Sequence, residues 1–180
     1  YWGPLDGHNI PQLIKELEKA KKARRPILMH VCTQKGKGYA PAEQNPAKFH
    51  GCGPFDPKTG EMKAAGISAG ELVAKQLSEM ADINIRIAAI TAAMKHGTGL
   101  NAFAEAHPDR FYDVGIAEEH AVTMAGGMAS RGMHPYVAIY STFLQRAYDQ
   151  IMMDLCIDAQ PVTLLIDRSG LNGADGVTHQ

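Results

Sequence analysis

Two adjacent glutamates, Glu118 and Glu119, separate a short apolar segment from a run of small residues in the second half of the chain. Residues 110–114 predict a strand that ends near the carboxylate of Asp113, and Gly115 allows a turn into a helix that begins at or just before Glu118. Acidic side chains in a first helical turn interact favourably with the positive end of the helix dipole. A carboxyl group at the start of a buried helix can also take part in proton transfer. Both interpretations fit the pattern, which favours the stabilising one because acidic first turns are common.

Other side chains with useful chemistry have ordinary structural explanations when residue type alone is considered. Phe143 is expected to be a core residue near the start of a helix. Arg146 and Arg168 are expected to form surface ion pairs with Asp149 or Asp167. Residue type therefore assigns none of them a functional role.

The first part of the chain predicts a helix followed by a strand. Residues 1–9 are rich in glycine, proline and aspartate and are predicted to form a loop. Asn9 can cap a helix that runs to about Ala23. Its apolar face consists of Ile10, Leu13, Ile14 and Leu17. Residues 27–31 suit a buried strand, so this part predicts half of a βαβ unit, with too few strands for a sheet.

A long loop is predicted over residues 33–59, which are rich in glycine and proline and show no helical or strand period. Loops of this length in compact proteins are usually functional or connect domains. Lys35 begins a Lys-Gly-Lys-Gly sequence with the composition of a phosphate-binding loop, but this sequence is not a Walker motif. His50, considered alone, is an ordinary loop histidine.

From Ser68 onwards the sequence predicts alternating helices and strands. Ser68 and Glu71 have the spacing of a capping box. The apolar side of the helix that they begin is expected to consist of Leu72, Val73, Leu77 and Met80. Further elements are predicted as strands at 85–91, 135–140 and 161–167 and helices at 101–107 and 143–156. This alternation predicts an α/β fold with a parallel sheet covered by helices. Ligands of such sheets bind beyond the carboxyl ends of the strands, which places the turn at residues 92–100 near a ligand.

The composition is that of an ordinary globular protein. A length of 180 residues suffices for one domain or for parts of two. The hydrophobic fraction of 45% and the charged fraction of 21% are typical of a globular protein. A net charge of −1 gives no general attraction to nucleic acid or to an anionic membrane, and no apolar stretch approaches the ~20 residues of a membrane span. Cys32, Cys52 and Cys156 lack paired spacing, so we expect free thiols in a reducing cytoplasm. No cysteine or histidine motif for a transition metal is present in the sequence.

Several motifs resemble those of one enzyme superfamily. Residues 113–121, Asp-Val-Gly-Ile-Ala-Glu-Glu-His-Ala, resemble the activating-glutamate segment of the thiamine-diphosphate-dependent transketolase superfamily. Within it, the resemblance is to the 1-deoxy-D-xylulose-5-phosphate synthase family and rests on residues 1–9, 35–43, 140–150 and 166–180. It covers essentially the whole chain.

The resemblance implies a thiamine-diphosphate-binding fold and a division into domains. Residues 1–50 would be the C-terminal part of a diphosphate-binding domain, and residues 51–66 an interdomain linker. Residues 67–180 would be a pyrimidine-binding domain that is incomplete at its C-terminus.

The same resemblance assigns residues to the cofactor. Glu118 matches the acid that hydrogen-bonds to the pyrimidine ring and promotes activation of thiamine diphosphate. Phe143 matches the aromatic residue that stacks on this ring, and Lys37 and Met94 are further candidates for cofactor contacts. His50 is a candidate catalytic residue that contacts the cofactor diphosphate or the substrate.

A second group of residues matches the site for the acceptor substrate. Tyr140, Arg146 and Arg168 match phosphate anchors for D-glyceraldehyde 3-phosphate, a role that suits the planar fork of guanidinium groups. Asp175 and His179 match residues that bind its hydroxyl groups, and His179 is also a candidate for proton transfer. The implied reaction joins pyruvate to this aldehyde with loss of CO2 and forms 1-deoxy-D-xylulose 5-phosphate, the first step of the non-mevalonate isoprenoid pathway.

One departure from the superfamily pattern concerns the metal. The Gly-Asp-Gly…Asn motif that binds Mg²⁺ and the diphosphate in the superfamily is absent from this sequence. We therefore expect the metal ligands to lie outside this chain. We also expect the chain to be an internal portion of a longer, cytoplasmic, homodimeric enzyme and to be inactive by itself.

Three other assignments differ from this one in the sequence features that they require. A transketolase or a 2-oxo-acid dehydrogenase component is disfavoured by residues 140–150 and by the Gly-Ala-Asp-Gly-Val-Thr-His-Gln ending. An NAD-binding Rossmann enzyme is disfavoured because no predicted strand is followed by Gly-x-Gly-x-x-Gly. A catalytically incomplete fragment or partner subunit stays open, with the expectation that it binds no cofactor.

Overall fold

The computed structural model describes residues 1–62 and 66–170. The chain divides into two compact units, residues 1–65 and 66–180, and each contains its own parallel sheet. The assignment of the predicted segments to named domains of a larger enzyme stays a prediction.

The state of the cysteines and the character of the helices can be described for both units together. Cys32, Cys52 and Cys156 carry free thiols, as predicted. Among the helices that the structure describes, none combines the length and the apolar character needed to cross a membrane.

The first unit begins with a two-stranded parallel sheet. Strand β1 is Trp2–Asp6, helix α1 is Ile10–Lys22, and strand β2 is Met29–Cys32. The predictions of a loop over residues 1–9 and of too few strands for a sheet were wrong. They failed because β1 is stabilised by pairing with β2, a contact between distant parts of the chain that a local pattern does not reveal.

Helix α1 begins where the sequence predicted, and its surroundings differ from the prediction. The side chain of Asn9 accepts a hydrogen bond from the backbone N–H of Gln12 at 3.1 Å. The apolar residues Ile10, Ile14 and Leu17 are exposed, and β2 is exposed along most of its length instead of buried. The first unit thus forms the predicted helix without covering its apolar face.

Part of the predicted loop at residues 33–59 is ordered around three aromatic rings. A short helix, α2, spans Ala40–Gln44. The half-buried rings of Tyr39, Phe49 and Phe55 lie 5.2–5.7 Å apart between centroids. This aromatic contact gives a mostly irregular segment a small apolar core.

The second unit contains the predicted α/β sheet. Its strands are β3 (Ile87–Thr91), β4 (Phe111–Asp113), β5 (His134–Tyr140) and β6 (Thr163–Asp167). All neighbouring strands are parallel in the order β4-β3-β5-β6, which confirms the predicted fold class. The regular helices are α3 (Ala69–Ile83), α4 (Asn101–Ala106), α5 (Glu118–Ser130), α6 (Ser141–Leu144) and α7 (Tyr148–Gln150).

Helices cover both faces of this sheet. One face packs against α3 and α4, with Leu77 and Phe103 in the core. The other face packs against α5 and the helical segment that follows β5, with Ile90 and Val137 in the core. Alternate residues of a strand point to opposite faces, so the fully buried β3 contributes to both cores.

Helix α3 begins with the predicted capping box but buries a different side. Ser68 Oγ accepts a hydrogen bond from the Glu71 backbone N–H, and Glu71 Oε2 accepts one from the Ser68 N–H at 2.7 Å. These backbone and side-chain hydrogen bonds to Ser68 hold the pKa of Glu71 below its usual value. The expectation of an apolar side that included Leu72, Val73 and Met80 was wrong because all three are exposed. The buried residues of α3 are Ala74, Leu77 and Ala81.

The helix predicted over residues 143–156 is instead a series of different helical turns. A 3₁₀ turn follows α6 at Gln145–Ala147, and α7 leads into a π-helix at Ile151–Ile157. In the π-helix, Asp154 Oδ2 accepts a hydrogen bond from Thr123 Oγ1 of α5 at 2.5 Å. A π-helix changes the rotation between successive residues, so it adapts this segment to its packing against α5.

Arg110 closes the C-terminal end of α3. Its guanidinium group donates hydrogen bonds to the carbonyl oxygens of Ala81, Asn84 and Ile87 at 3.1–3.3 Å. Its Nη2 also lies 2.8 Å from Nδ1 of the buried His107. A cation suits the carbonyl end of a helix, so this one side chain joins α3 to the start of β3.

Replacement of Arg110 by methionine should destabilise the second unit. The side-chain volume is largely kept while several carbonyl groups lose a charged donor, so we expect the free energy of unfolding to fall by about 2–3 kcal/mol. Urea denaturation would measure the change. Arg131→Met, at an exposed position just after α5, is the matched control and should change stability by less than about 0.5 kcal/mol. Equal changes in the two variants would show that the carbonyl contacts of Arg110 contribute little.

Candidate active site

Side chains from four segments meet at the carboxyl-terminal edge of the four-stranded sheet. Met94 follows β3, Glu118 follows β4, Tyr140 ends β5, and Arg168 follows β6. These residues are far apart in the sequence and are linked by the contacts described below. Their position agrees with the predicted location of a ligand site in a parallel α/β sheet.

Asp113 fixes the turns that lead to the start of α5. Its Oδ1 accepts hydrogen bonds from the backbone N–H groups of Ala93 at 2.8 Å and Gly115 at 3.0 Å. Both of these residues have positive φ values, +59° for Ala93 and +73° for Gly115. One carboxylate therefore ties the turn after β3 to the turn after β4 and sets where Glu118 begins its helix.

Glu118 is a buried carboxyl group that pairs with an arginine. Its exposed fraction is 1%, and its Oε1 accepts a hydrogen bond from Nη1 of Arg146 at 2.6 Å. Its Oε2 is buried and has no hydrogen-bond partner among residues 1–62 and 66–170. Because a buried polar atom without a partner is unfavourable, this oxygen has the character of a site for an external hydrogen-bonding group.

The ion pair continues into a series of stacked side chains, which we call the aromatic stack. The Arg146 guanidinium carbon lies 5.1 Å from the centroid of the Phe143 ring. The Phe143 and Tyr140 rings are 5.8 Å apart at an interplanar angle of 26°. The Arg168 guanidinium carbon lies 3.9 Å from the centroid of the Tyr140 ring. Cation–π and ring contacts thus connect Glu118 to Arg168 through three intermediate side chains.

The backbone of Arg168 has an unusual conformation that two hydrogen bonds hold. Its φ is +53°, in the left-handed region that residues other than glycine rarely adopt. Asp167 Oδ1 accepts a hydrogen bond from the Arg168 N–H, and Ser141 Oγ donates one to the Arg168 carbonyl, both at 2.8 Å. These contacts direct the guanidinium group over Tyr140.

The turn after β3 supports Tyr140. The Tyr140 backbone N–H lies 3.5 Å from the sulfur of Met94, and both residues are buried. Thr98 donates a hydrogen bond from Oγ1 to the Met94 carbonyl at 2.9 Å and so stabilises the turn. Met94 therefore lies beside the aromatic stack, and its contact with a cofactor stays a prediction.

The other predicted site residues lie in the first unit or outside the described residues. Lys37 and His50 lie at exposed positions in turns of the first unit, so their cofactor contacts stay predictions. Asp175 and His179 lie outside the described residues.

The structure changes the interpretation of two arginines. The surface ion pair with Asp149 or Asp167 was the wrong interpretation of Arg146, because this arginine pairs with the buried Glu118. Asp167 does contact Arg168, but through the backbone N–H of Arg168 instead of its guanidinium group. Local proximity in the sequence suggested these aspartates, whereas the fold brings Glu118 closer.

No positioning role was predicted from the sequence for three residues that hold the site. They are Asp113, Ser141 and Gly97, the last of which faces the Tyr140 hydroxyl. Asp113 ends a strand just before a glycine turn, which is a detectable signal. Nothing in the sequence indicates the partners of Ser141 and Gly97, because those partners come from other segments.

Comparisons with known proteins identify relatives of both units. A family model described as "Transketolase, pyrimidine binding domain" matches residues 65–180, and one described as "1-deoxy-D-xylulose-5-phosphate synthase" matches residues 1–33. Among solved structures, the chain is similar to one titled "Split gene transketolase, inactive beta4 tetramer". That match has a TM-score of 0.50 and 30% identity and covers 56% of this chain and 34% of the other.

Curated relatives named 1-deoxy-D-xylulose-5-phosphate synthase match the whole chain. The protein from Desulforudis audaxviator is 56% identical over 100% of this chain. Those from Nitratidesulfovibrio vulgaris and Clostridium tetani are each 55% identical, over 99% and 100% of this chain. The chain spans only 28–29% of the length of these three relatives.

The contact between Arg146 and Glu118 can be tested through stability. Arg146→Met leaves a buried carboxyl group without its donor, so we expect the free energy of unfolding to fall by about 1–3 kcal/mol. In a Glu118→Gln background the same change should cost much less, because no carboxylate is left unpaired. Urea denaturation of the four proteins in this double-mutant cycle measures the coupling, and equal costs in both backgrounds would contradict it.

Proposed function

Since this chain belongs to the transketolase pyrimidine-binding domain family, whose members depend on thiamine diphosphate, we propose that it forms part of a 1-deoxy-D-xylulose-5-phosphate synthase. The proposed reaction joins pyruvate to D-glyceraldehyde 3-phosphate with loss of CO2 and begins the non-mevalonate isoprenoid pathway. Identities of 55–56% to synthases along the whole chain support the proposal. The complete activity is assigned to a longer protein because the chain spans less than a third of these relatives.

The observation that carries this proposal is the environment of Glu118. A carboxyl group that is 1% exposed keeps one oxygen on Arg146 while the other is buried without a partner among the described residues. Such an oxygen can hydrogen-bond to a ring nitrogen of a ligand in a site that excludes water. A purely dipole-stabilising glutamate would have no need of burial, and its neighbour Glu119 is exposed.

The residues around Glu118 fit the pyrimidine part of thiamine diphosphate. Phe143 provides a half-buried aromatic face for a ring, and Met94 provides an apolar contact at the same sheet edge. When bound, this cofactor supplies the thiazolium carbon that attacks the keto group of pyruvate. The role of Glu118 is to hold or move a proton at Oε2 against the ring nitrogen, and Arg146 keeps the carboxyl group oriented.

Tyr140 and Arg168 are proposed to bind the phosphate of D-glyceraldehyde 3-phosphate. The Arg168 guanidinium group is stacked on Tyr140, which limits its freedom before a phosphate binds. Such preorganisation reduces the entropy lost on binding. Arg146 stays a candidate for the same phosphate, although its hydrogen bond to Glu118 favours a role in orienting that carboxyl group.

Further roles are proposed for the other predicted site residues. Asp175 and His179 would bind the hydroxyl groups of the acceptor, with His179 also transferring a proton. Lys37 and His50 would contact the cofactor diphosphate or the substrate. The Mg²⁺ that holds the diphosphate would have its ligands outside this chain, since the sequence lacks the Gly-Asp-Gly…Asn motif.

We also propose a homodimer in the cytoplasm. The similar split-gene transketolase is described as a tetramer, which shows that one relative of this fold assembles from several chains. A second candidate function is an incomplete, non-catalytic partner subunit. The inactive state named for that same relative favours this alternative.

Replacement of Glu118 by alanine in the full-length synthase should remove most activity. The loss of a proton-transferring group predicts a fall in kcat of at least about hundredfold with an intact fold. Steady-state kinetics with pyruvate and D-glyceraldehyde 3-phosphate would measure the fall, and circular dichroism would confirm folding. The exposed Glu119→Ala is the matched control and should keep nearly full activity. A folded Glu118→Ala enzyme with near-normal turnover would refute the assignment.

Replacement of Arg168 by alanine should chiefly weaken the binding of the phosphorylated substrate. Loss of charged hydrogen bonds to phosphate predicts a roughly ten- to hundredfold rise in the KM for D-glyceraldehyde 3-phosphate. The KM for pyruvate, which has no phosphate, should change little, and Arg131→Ala serves as the control. An equal rise for both substrates would remove the phosphate-binding role.

A further inference from the structure

We propose that Gly97 is a positioning residue for the acceptor-phosphate site, because its lack of a side chain makes room for the Tyr140 ring. The inference rests on the proposed function, in which Tyr140 and Arg168 bind the phosphate. Gly97 acts through these two residues and does not itself contact the substrate.

The space beside Gly97 is filled by the end of the tyrosine ring. A methyl group built on Gly97 would overlap the Tyr140 hydroxyl oxygen and would lie 2.6 Å from Cζ and 3.2 Å from Cε1 of the ring. The φ of Gly97 is not in the left-handed region, so its backbone conformation is open to other residues. Glycine is therefore required at this position for space and not for backbone freedom.

The Tyr140 ring has little freedom to move away. The residue is 8% exposed, and Arg168 and Phe143 lie against its ring at 3.9 and 5.8 Å. Its backbone N–H contacts the sulfur of Met94 in the same turn that contains Gly97. The turn is held in place by the hydrogen bond from Thr98 to the Met94 carbonyl.

A shift of the Tyr140 ring would also move the Arg168 guanidinium group that is stacked on it. The Arg168 guanidinium group lies on the face of the ring, while its backbone is fixed by Ser141 and Asp167. A shift of Tyr140 therefore changes where the guanidinium group points without unfolding the end of β6. The expected consequence is a weaker phosphate site beside an intact Glu118.

The test is Gly97→Ala in the full-length synthase, with Gly127→Ala as the matched control. Gly127 lies in α5 with open space where a methyl group would stand. Gly97→Ala should raise the KM for D-glyceraldehyde 3-phosphate by about tenfold or more. The kcat of Gly97→Ala and its KM for pyruvate should change by less than about twofold. For Gly127→Ala, kcat and the KM values for both substrates should also change by less than about twofold. A folded Gly97→Ala enzyme with an unchanged acceptor KM would overturn the inference.

A double-mutant cycle shows whether the effect passes through Tyr140. In a Tyr140→Leu background the shorter side chain leaves room for the methyl group, so Gly97→Ala should change the acceptor KM by less than about twofold. If Gly97→Ala alone does not fold, the double variant should recover folding, since the overlap is gone. An equal effect in both backgrounds, or failure of both to fold, would overturn the proposed contact.

Failure of this inference can be distinguished from failure of the proposed function. If Arg168→Ala leaves the acceptor KM unchanged, the phosphate site itself is refuted, and the role of Gly97 is refuted with it. If Arg168→Ala raises that KM and Gly97→Ala does not, the phosphate site stands and only the positioning role is refuted.

Discussion

The burial of the Glu118 carboxyl group at the start of α5 is the constraint on which the rest of the site depends. Removing a carboxylate from water is costly unless a cation or hydrogen-bond donors replace the lost hydration. Here Arg146 provides one donor to Oε1, and the N-terminus of α5 provides a favourable dipole. Oε2 is buried and has no hydrogen-bond partner among residues 1–62 and 66–170, and this oxygen is the basis for proposing a ligand there.

The parallel sheet explains how this carboxyl group acquires its neighbours. In the order β4-β3-β5-β6, all four strands end at the same edge, so the residues that follow them are brought together whatever their distance in the sequence. The aromatic stack then joins the segments after β5 and β6 to Glu118 through contacts of arginine with aromatic rings. One end of this series is the buried Glu118 carboxyl group, and the other end is the Arg168 guanidinium group.

Two residues at the edge of the site have backbone conformations that would be unfavourable in isolation. Ala93 and Arg168 both have left-handed backbone conformations, which cost on the order of 1 kcal/mol each for residues other than glycine. The carboxylates of Asp113 and Asp167 compensate by accepting hydrogen bonds from the N–H groups of these residues. Backbone strain of this kind is commonly found at functional sites, where the surrounding structure fixes a side chain in one direction.

The sequence alone determined the features that follow from local patterns of residue types. The alternation of apolar strands and helices predicted the parallel sheet of the second unit, and the spacing of Ser68 and Glu71 predicted the capping box. Motif resemblance made Glu118 a candidate for cofactor activation, whereas residue type alone favoured a stabilising role for it. Only the tertiary structure decided that Glu118 is buried, that Arg146 is its partner, and that β1 pairs with β2. These contacts join segments that are far apart in the sequence. Their energies depend on distances in space, and a local pattern of residue types does not encode such distances.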